Sequence, residues 1–327
     1  MDVKNAFLHG NLKEEIYMTP PQSLFVTPSN VCRLKGSLYE LKQAPRAWFD
    51  KFRSTLLDFS FVQSQYDSSL FLRTTASGIV LLLVYVDDIV ITGTDSILIP
   101  QLQHLKASFH MKDLGLQEGN SVQTPMKQVS QFMQTPRLPH LVAVCRIVRY
   151  LRGTSHRGLY FPIASPIQLV TYSDADWASC VNNHRLVTGW CMFLGDALLS
   201  WKSKKQTRVS KSSTESEYHA MSYACSEIVW LRGLLGELGF SQSDPTPLYA
   251  DNTSAIQIVA NPVFHERTKH IEVDCQYIRE AYDKKIISIP HISTDLQTAD
   301  AFTKALPRPR HQFLVGKLML LDQPASI

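Results

Sequence analysis

Tyr172-Ser173-Asp174-Ala175-Asp176-Trp177 is the stretch on which the reading of this chain turns. The apolar-rich run Ile167–Ser173 before it has the composition of a β-strand, so Asp174 is expected to follow directly on a strand end. Downstream, Glu215 and Glu217 open a long helical run, Ser216 to Leu238. Its residues Met221, Ala224, Ile228, Leu231, Leu235 and Leu238 fall on one stripe. Asp251 follows a second short strand, Pro247–Ala250, and Asp300 lies in the first turn of a last helix, Gln297–Leu306. Between these, Thr188–Leu194 and Ala197–Trp201 read as strands, Ser254–Ala260 and His270–Asp283 as helices, and Ile286–Ile292 as a strand. Strands first, then strands alternating with helices, predict a mixed β-sheet flanked by helices. Each acid alone reads most simply as a helix cap or a solvated turn. Together, at strand ends and helix starts, they are placed to converge. Crowded carboxylates repel unless a cation holds them, and hard divalent ions take oxygen ligands.

The first 115 residues have a different pattern. Leu38, Leu41, Ala44, Trp48, Phe52 and Leu56 recur at helical spacing, with Pro45 breaking or restarting the helix. Ile79–Val86 and Ile89–Thr92 are two β-rich runs joined at Asp87-Asp88, which predicts a hairpin with two carboxylates at its tip. Residues 116–165 are irregular at first, then form one helix, Leu141–Leu151, stopped by Gly153.

The chain has 327 residues, enough for two domains, and 44% hydrophobic against 19% charged residues excludes a disordered chain. Its longest apolar run, Ile79 to Val86, is far too short for a membrane helix, and no signal peptide is visible. Six scattered cysteines without a CxxC pair read as reduced thiols of an intracellular protein, cytoplasmic or nuclear and not secreted. Residues 1–115 carry 11 basic and 11 acidic side chains, so the whole net charge of +4 lies beyond them. Between Gly119 and Ser173 there is no carboxylate but six basic residues, Lys127 to Arg157, and a second basic cluster follows at Lys202, Lys204, Lys205, Arg208 and Lys211. Clustered cations favour a polyanionic partner, although basic residues also solvate ordinary surfaces.

Four long segments together resemble the ribonuclease H domain of copia-type LTR retrotransposon polyproteins: YSDADWASCVNNHRLVTGWCMFLG, SWKSKKQTRVSKSSTESEYHAMSYACSEIVWLRGLL, LYADNTSAIQIVANPVFHERTKHIEVDC and TADAFTKALP. The resemblance implies that Asp174, Glu217, Asp251 and Asp300 bind metal. Glu217 is preferred to Glu215 because Glu217-Tyr218-His219-Ala220 fits the family's ExxA pattern. It implies two Mg²⁺ ions, with Mn²⁺ as a substitute, roughly 3.5–4 Å apart at the scissile phosphate of an RNA–DNA hybrid. Lys202, Lys204, Lys205, Arg208 and Lys211 would contact phosphates.

The first zone resembles the palm of the same polyproteins' reverse transcriptase, on Asp2-Val3-Lys4-Asn5-Ala6-Phe7-Leu8-His9-Gly10, on Leu38 to Trp48, and on Tyr85-Val86-Asp87-Asp88. That implies a metal site at Asp2, Asp87 and Asp88, with Lys42 and Gln43 on a template-gripping helix. The expected organisation is a truncated palm over 1–115, a shortened connection over 116–165, a ribonuclease H-like domain over 166–310, and a tail over 311–327.

The chain departs from the family pattern in three places. It starts at the first palm motif, without the fingers. After Met111-Lys112-Asp113-Leu114-Gly115 it jumps to Leu116–Met126, and again from Lys127-Gln128 into Val129–Met133, so that primer grip and most of the thumb are lost. Polymerase activity is therefore expected to be absent or very weak, and Asp2 to be frayed. Hybrid cleavage is the activity expected to survive. A silent relic that binds nucleic acid, and a two-metal DNA nuclease of related fold, stand as alternatives. The sequence leaves the oligomeric state open.

Overall fold

Trp48, Phe52 and Leu56, four residues apart, form the buried stripe of helix α1 (Ala44–Asp58). Pro45 stands in its first turn, where a missing N–H costs nothing, so it restarts the helix. In the computed structural model, residues 2–20, 31–102, 109, 111–112, 135, 137–177, 187–206, 210, 212–261 and 272–322 are described. They belong to two units, Met1–Ser121 and Val122–Ile327. The predicted fold class, helices with mixed sheets, is the one observed. No described helix is long and apolar enough to cross a membrane.

The first unit has strands β1 (Asp2–Val3), β2 (Tyr17–Met18), β3 (Cys32–Arg33), β4 (Val62–Gln63), β5 (Leu70–Thr75), β6 (Gly78–Tyr85), β7 (Asp88–Gly93) and β8 (Met111–Lys112), and a short helix α2 (Leu98–Gln101). Six of the strands form one antiparallel sheet in the order β4-β5-β6-β7-β1-β8. Val80, Leu82 and Val84 alternate inward and meet Trp48, Phe52 and Leu56 in the core. Each such fully buried side chain contributes about 1.5–3 kcal/mol.

The hairpin turns one residue earlier than the sequence suggests. Tyr85 pairs with Asp88, so Val86-Asp87 is the loop and Asp88 already belongs to β7. Val86 has φ 58°, an unusual conformation for a β-branched residue. The Trp48 indole N–H donates to its carbonyl at 2.7 Å.

The second unit contains α3 (Leu138–Thr154), β9 (Arg157–Leu159), β10 (Leu169–Asp176), β11 (Val187–Leu194), β12 (Ala197–Lys205), α4 (Ser213–Glu237), β13 (Thr246–Tyr249), α5 (Thr253–Ala260), α6 (Glu272–Asp283), β14 (Ile287–Ser288), α7 (Asp300–Thr303), α8 (Arg308–Lys317) and β15 (Leu320–Asp322). Its main sheet has the order β12-β11-β10-β13-β14. The first three strands are antiparallel, and β10, β13 and β14 run parallel. Parallel neighbours need crossovers, and α4 and α6 supply helices for them. The predicted α4 stripe is buried: Met221, Ala224, Ile228, Leu231 and Leu235 pack with Leu169, Trp190, Met192 and Leu248. Cys191, Phe193 and Leu198 face a smaller cluster that includes Leu318, so β11 is covered on both faces. At the β11–β12 turn, Gly195 has φ +59°, which a side chain would strain.

Three differences from the sequence reading matter. Strand β10 continues through Asp176, paired to Val187, so Asp174 lies inside a strand instead of after it. The expected final helix, Gln297–Leu306, shortens to the single turn α7, and a 3-10 turn (Thr294–Leu296) precedes it. Beyond it α8 forms, and β15 pairs with β9, so residues up to 322 are structured as part of this unit.

Candidate metal centre

Asp174 is fully buried near the C-terminal end of β10. Glu217 sits early in α4, a helix that Ser212 caps by accepting the Glu215 backbone N–H at 3.2 Å. Asp251 follows Ala250 at the end of β13. Asn252 caps the start of α5 through the Ala255 N–H at 2.9 Å, and Ile292 N–H donates to the Ala250 carbonyl at 3.0 Å. Two strand ends and one helix start thus meet. One carboxylate oxygen each from Asp174, Glu217 and Asp251 lies within 4.8 Å of the others, the one such metal-capable group among the described residues.

Among the described residues, Glu217 and Asp251 of this cluster have no ion-pair partner. Oε2 of Glu217 is buried without a hydrogen-bond partner. Burial, then the charges of Asp174 and Asp251, push the Glu217 carboxyl up to about 9, against the pull of the Ala175 backbone N–H. Burial also raises Asp174, to about 6, although Lys304 and Thr303 pull it down. A buried orphan oxygen in an all-oxygen donor set is what a hard divalent cation fits.

Asp300 is placed differently. It is buried, with Lys304 Nζ 2.6 Å from its Oδ1 and Arg310 3.1 Å from its Oδ2. It stands outside the group of three, linked to it through Lys304, whose Nζ also lies 3.1 Å from Asp174 Oδ1. The Thr303 hydroxyl donates to the other Asp174 oxygen. Burial alone would lower Lys304, yet Asp174 and Asp300 outweigh it and hold the ammonium above an ordinary lysine. Arg310 also donates to the carbonyls of Asp295, Thr294 and Gln297, tying α8 to the turn before α7. Thr294 donates to Asp251 at 3.0 Å.

Glu215 turns to His219 instead of the cluster, at 3.8 Å, while His219 Nδ1 lies 2.8 Å from Asp274 on α6. His291 is exposed beside Ala250, next to the Asp251 strand end. Lys202 and Lys204 are exposed on β12, an edge strand, two residues apart and so on one face. Lys204 stands 5.6 Å over the Tyr223 ring, and Lys205 is half-buried. Arg208 and Lys211 lie outside the described residues. In the first unit Asp2 pairs with Asp88 across β1 and β7, and the Val3 N–H donates to the Asp87 carbonyl at 2.9 Å. The backbones of the three palm acids therefore adjoin. Lys42 is exposed and Gln43 immediately precedes α1.

Thr294, Thr303, Lys304 and Arg310 were not singled out from sequence. The spacing Asp300–Lys304, four residues within one helical run, was the available signal for one of them.

A family model described as reverse transcriptase (RNA-dependent DNA polymerase) matches residues 1–163. The retrovirus-related Pol polyprotein from transposon RE1 of Arabidopsis thaliana is 35% identical over 403 residues, covering 100% of this chain and 28% of the polyprotein. That from transposon TNT 1-94 of Nicotiana tabacum is 33% identical over 406 residues, covering 97% of this chain and 30% of the polyprotein. The chain thus spans under a third of their length. Both alignments are longer than the chain, so stretches within the aligned part of each polyprotein have no counterpart here. Among solved structures, the N-terminal RNase H domain of Rv2228c from Mycobacterium tuberculosis has a TM-score of 0.32 at 13% identity, covering 46% of this chain and 97% of that one. On matches that run over its full length or nearly so, this chain belongs to the copia-type retrotransposon Pol polyproteins, with residues 1–163 matching reverse transcriptase.

Proposed function

We propose that the second unit is a divalent-ion-dependent nuclease that cuts the RNA strand of an RNA–DNA hybrid, and that the first unit no longer polymerises. The observation that carries the nuclease reading is the convergence of Asp174, Glu217 and Asp251, with one buried Glu217 oxygen lacking any partner. Asp174, Glu217 and Asp251 would hold Mg²⁺ or Mn²⁺, with Asp300 as the fourth acid. When bound, the ion supplies an activated water and stabilises charge on the phosphate. The chain's own groups set the geometry. Thr303 orients Asp174, Thr294 orients Asp251, and Arg310 fixes Asp300 from the opposite side to Lys304. Lys202 and Lys204 on the open edge of the sheet would bind phosphates, giving a salt-dependent affinity. The 2′-hydroxyls would identify the strand to be cut.

The test is cleavage of a labelled hybrid by the full chain with Mg²⁺, beside Asp174→Asn. Metal-assisted charge stabilisation worth about 4 kcal/mol predicts a loss of about a thousandfold in rate. Equal background cleavage by both proteins would leave the alternative reading, a silent relic that binds nucleic acid. Cutting of plain duplex DNA in preference to hybrid would favour a DNA nuclease.

For the first unit, the unmatched stretches of the polyproteins support the loss of a primer grip and thumb, without which a primer 3′-OH is not aligned. Primer extension by the full chain should yield no more product than Asp88→Asn. Extension that depends on Asp88 would overturn this half of the reading.

A further inference from the structure

Lys304 has an unusual position for a lysine in a site that needs cations. Its ammonium lies 2.6 Å from Asp300 Oδ1 and 3.1 Å from Asp174 Oδ1, bridging the two acids. Every other oxygen of this pair is also engaged, Asp174 Oδ2 by Thr303 and Asp300 Oδ2 by Arg310. Among the described residues, neither Glu217 nor Asp251 forms an ion pair, and a Glu217 oxygen is left without a partner. The centre is therefore asymmetric. Among the described residues, one half has a cation in contact and the other half has none.

We propose that Lys304 is a resident cation standing between Asp174 and Asp300, where a second divalent ion would have to bind. This inference rests on the nuclease reading and adds an order to it. The first ion enters at Asp174, Glu217 and Asp251, where the Glu217 oxygen without a partner offers a ligand. A second ion is admitted only when the Lys304 side chain swings off Asp174 or Asp300. The side chain is about one-third exposed, which gives the ammonium a path to solvent. An ammonium at this distance competes directly with an ion for the same two oxygens. In return, Lys304 keeps Asp174 and Asp300 from repelling each other before any ion arrives. Asp300 is thereby held within reach of the centre.

The experiment counts bound ions on the full chain without substrate. Mn²⁺ is titrated and the free ion is measured by electron paramagnetic resonance, for wild type, Lys304→Gln, Lys304→Met and Lys304→Arg. Thermal melting of each variant reports folding. The wild-type chain should bind one Mn²⁺ at least tenfold more tightly than a second. Lys304→Gln and Lys304→Met should tighten the second ion about tenfold and change the first less than threefold. Lys304→Arg, which keeps the charge, should behave as wild type. Two equally tight ions in the wild type would overturn the proposal even if both neutral variants fail to fold. A second ion no tighter in the neutral variants than in wild type would also overturn it, leaving the single-ion nuclease reading intact. Absence of any saturable ion in all four proteins would sink the metal reading and this inference together.

Discussion

Replacing Glu217 by glutamine should abolish hybrid cleavage and at the same time raise the melting temperature of the ion-free chain at pH 8. The two effects have one cause. Without a cation, the folded protein binds the Glu217 proton more tightly than the unfolded chain does, because burial and the neighbouring acids raise its pKa from 4.5 to about 9. The folded state then carries more protons than the unfolded state across that window. Stability therefore falls as pH rises through it, and levels off above. Asp174, raised from 3.8 to about 6, adds to the same slope at its acid end. Glutamine has no proton to lose, so the slope between about pH 5 and 9 should flatten. Each kcal/mol recovered in a unit of this size shifts the melting temperature by about 2–4 °C. Mg²⁺ should stabilise the wild-type chain at pH 8 and stabilise Glu217→Gln much less. A melting temperature of the ion-free wild type that does not change over that range would show that Glu217 is not the strained group described.

The second large effect is expected at a residue without a side chain. Gly189 pairs with Asp174 across β11 and β10. A methyl group there would come within 2.7 Å of Thr303 Cγ2 and 2.9 Å of Phe302 Cβ. The glycine is what lets α7 lie close enough for Thr303 to reach Asp174. Gly189→Ala should push α7 outward, at about 1–3 kcal/mol for an overpacked contact. Hybrid cleavage should drop more than this destabilisation accounts for, since Asp174 loses its Thr303 hydrogen bond and Asp300 moves with α7. Thermal melting paired with the cleavage rate separates the two losses. Unchanged cleavage in a folded Gly189→Ala protein would mean that the α7 contact does not position the acids.

Much of this could be read from the chain, and what could not has a physical reason. The stripes Trp48–Phe52–Leu56 and Met221–Ala224–Ile228 were legible because each helix buries one face, and burial imposes the period. The convergence of Asp174, Glu217 and Asp251 followed from acids at the ends of regular elements. Glu217 rather than Glu215 enters the cluster, and His219 accounts for where Glu215 goes. The depth of Asp174 was not legible. How far β10 runs depends on its pairing with Val187 and Thr188, which is fixed by tertiary register and not by local propensity. Helix α8 was missed because its first five residues, Arg308-Pro309-Arg310-His311-Gln312, carry no apolar signal. The bonds of Arg310 to the turn before α7 help hold it in place instead. Lys304 carries little signal in the sequence, because a cation site is marked there by its anions.

The closure of α7 and α8 over β10 also has a temporal side. Asp174 enters the nascent chain more than a hundred residues before Thr303, Lys304 and Arg310. Until those arrive, its carboxylate has neither its hydroxyl donor nor its ammonium, and the middle strand of the sheet cannot settle at its final depth. A centre built this way is completed last, by the segment around residues 300–310.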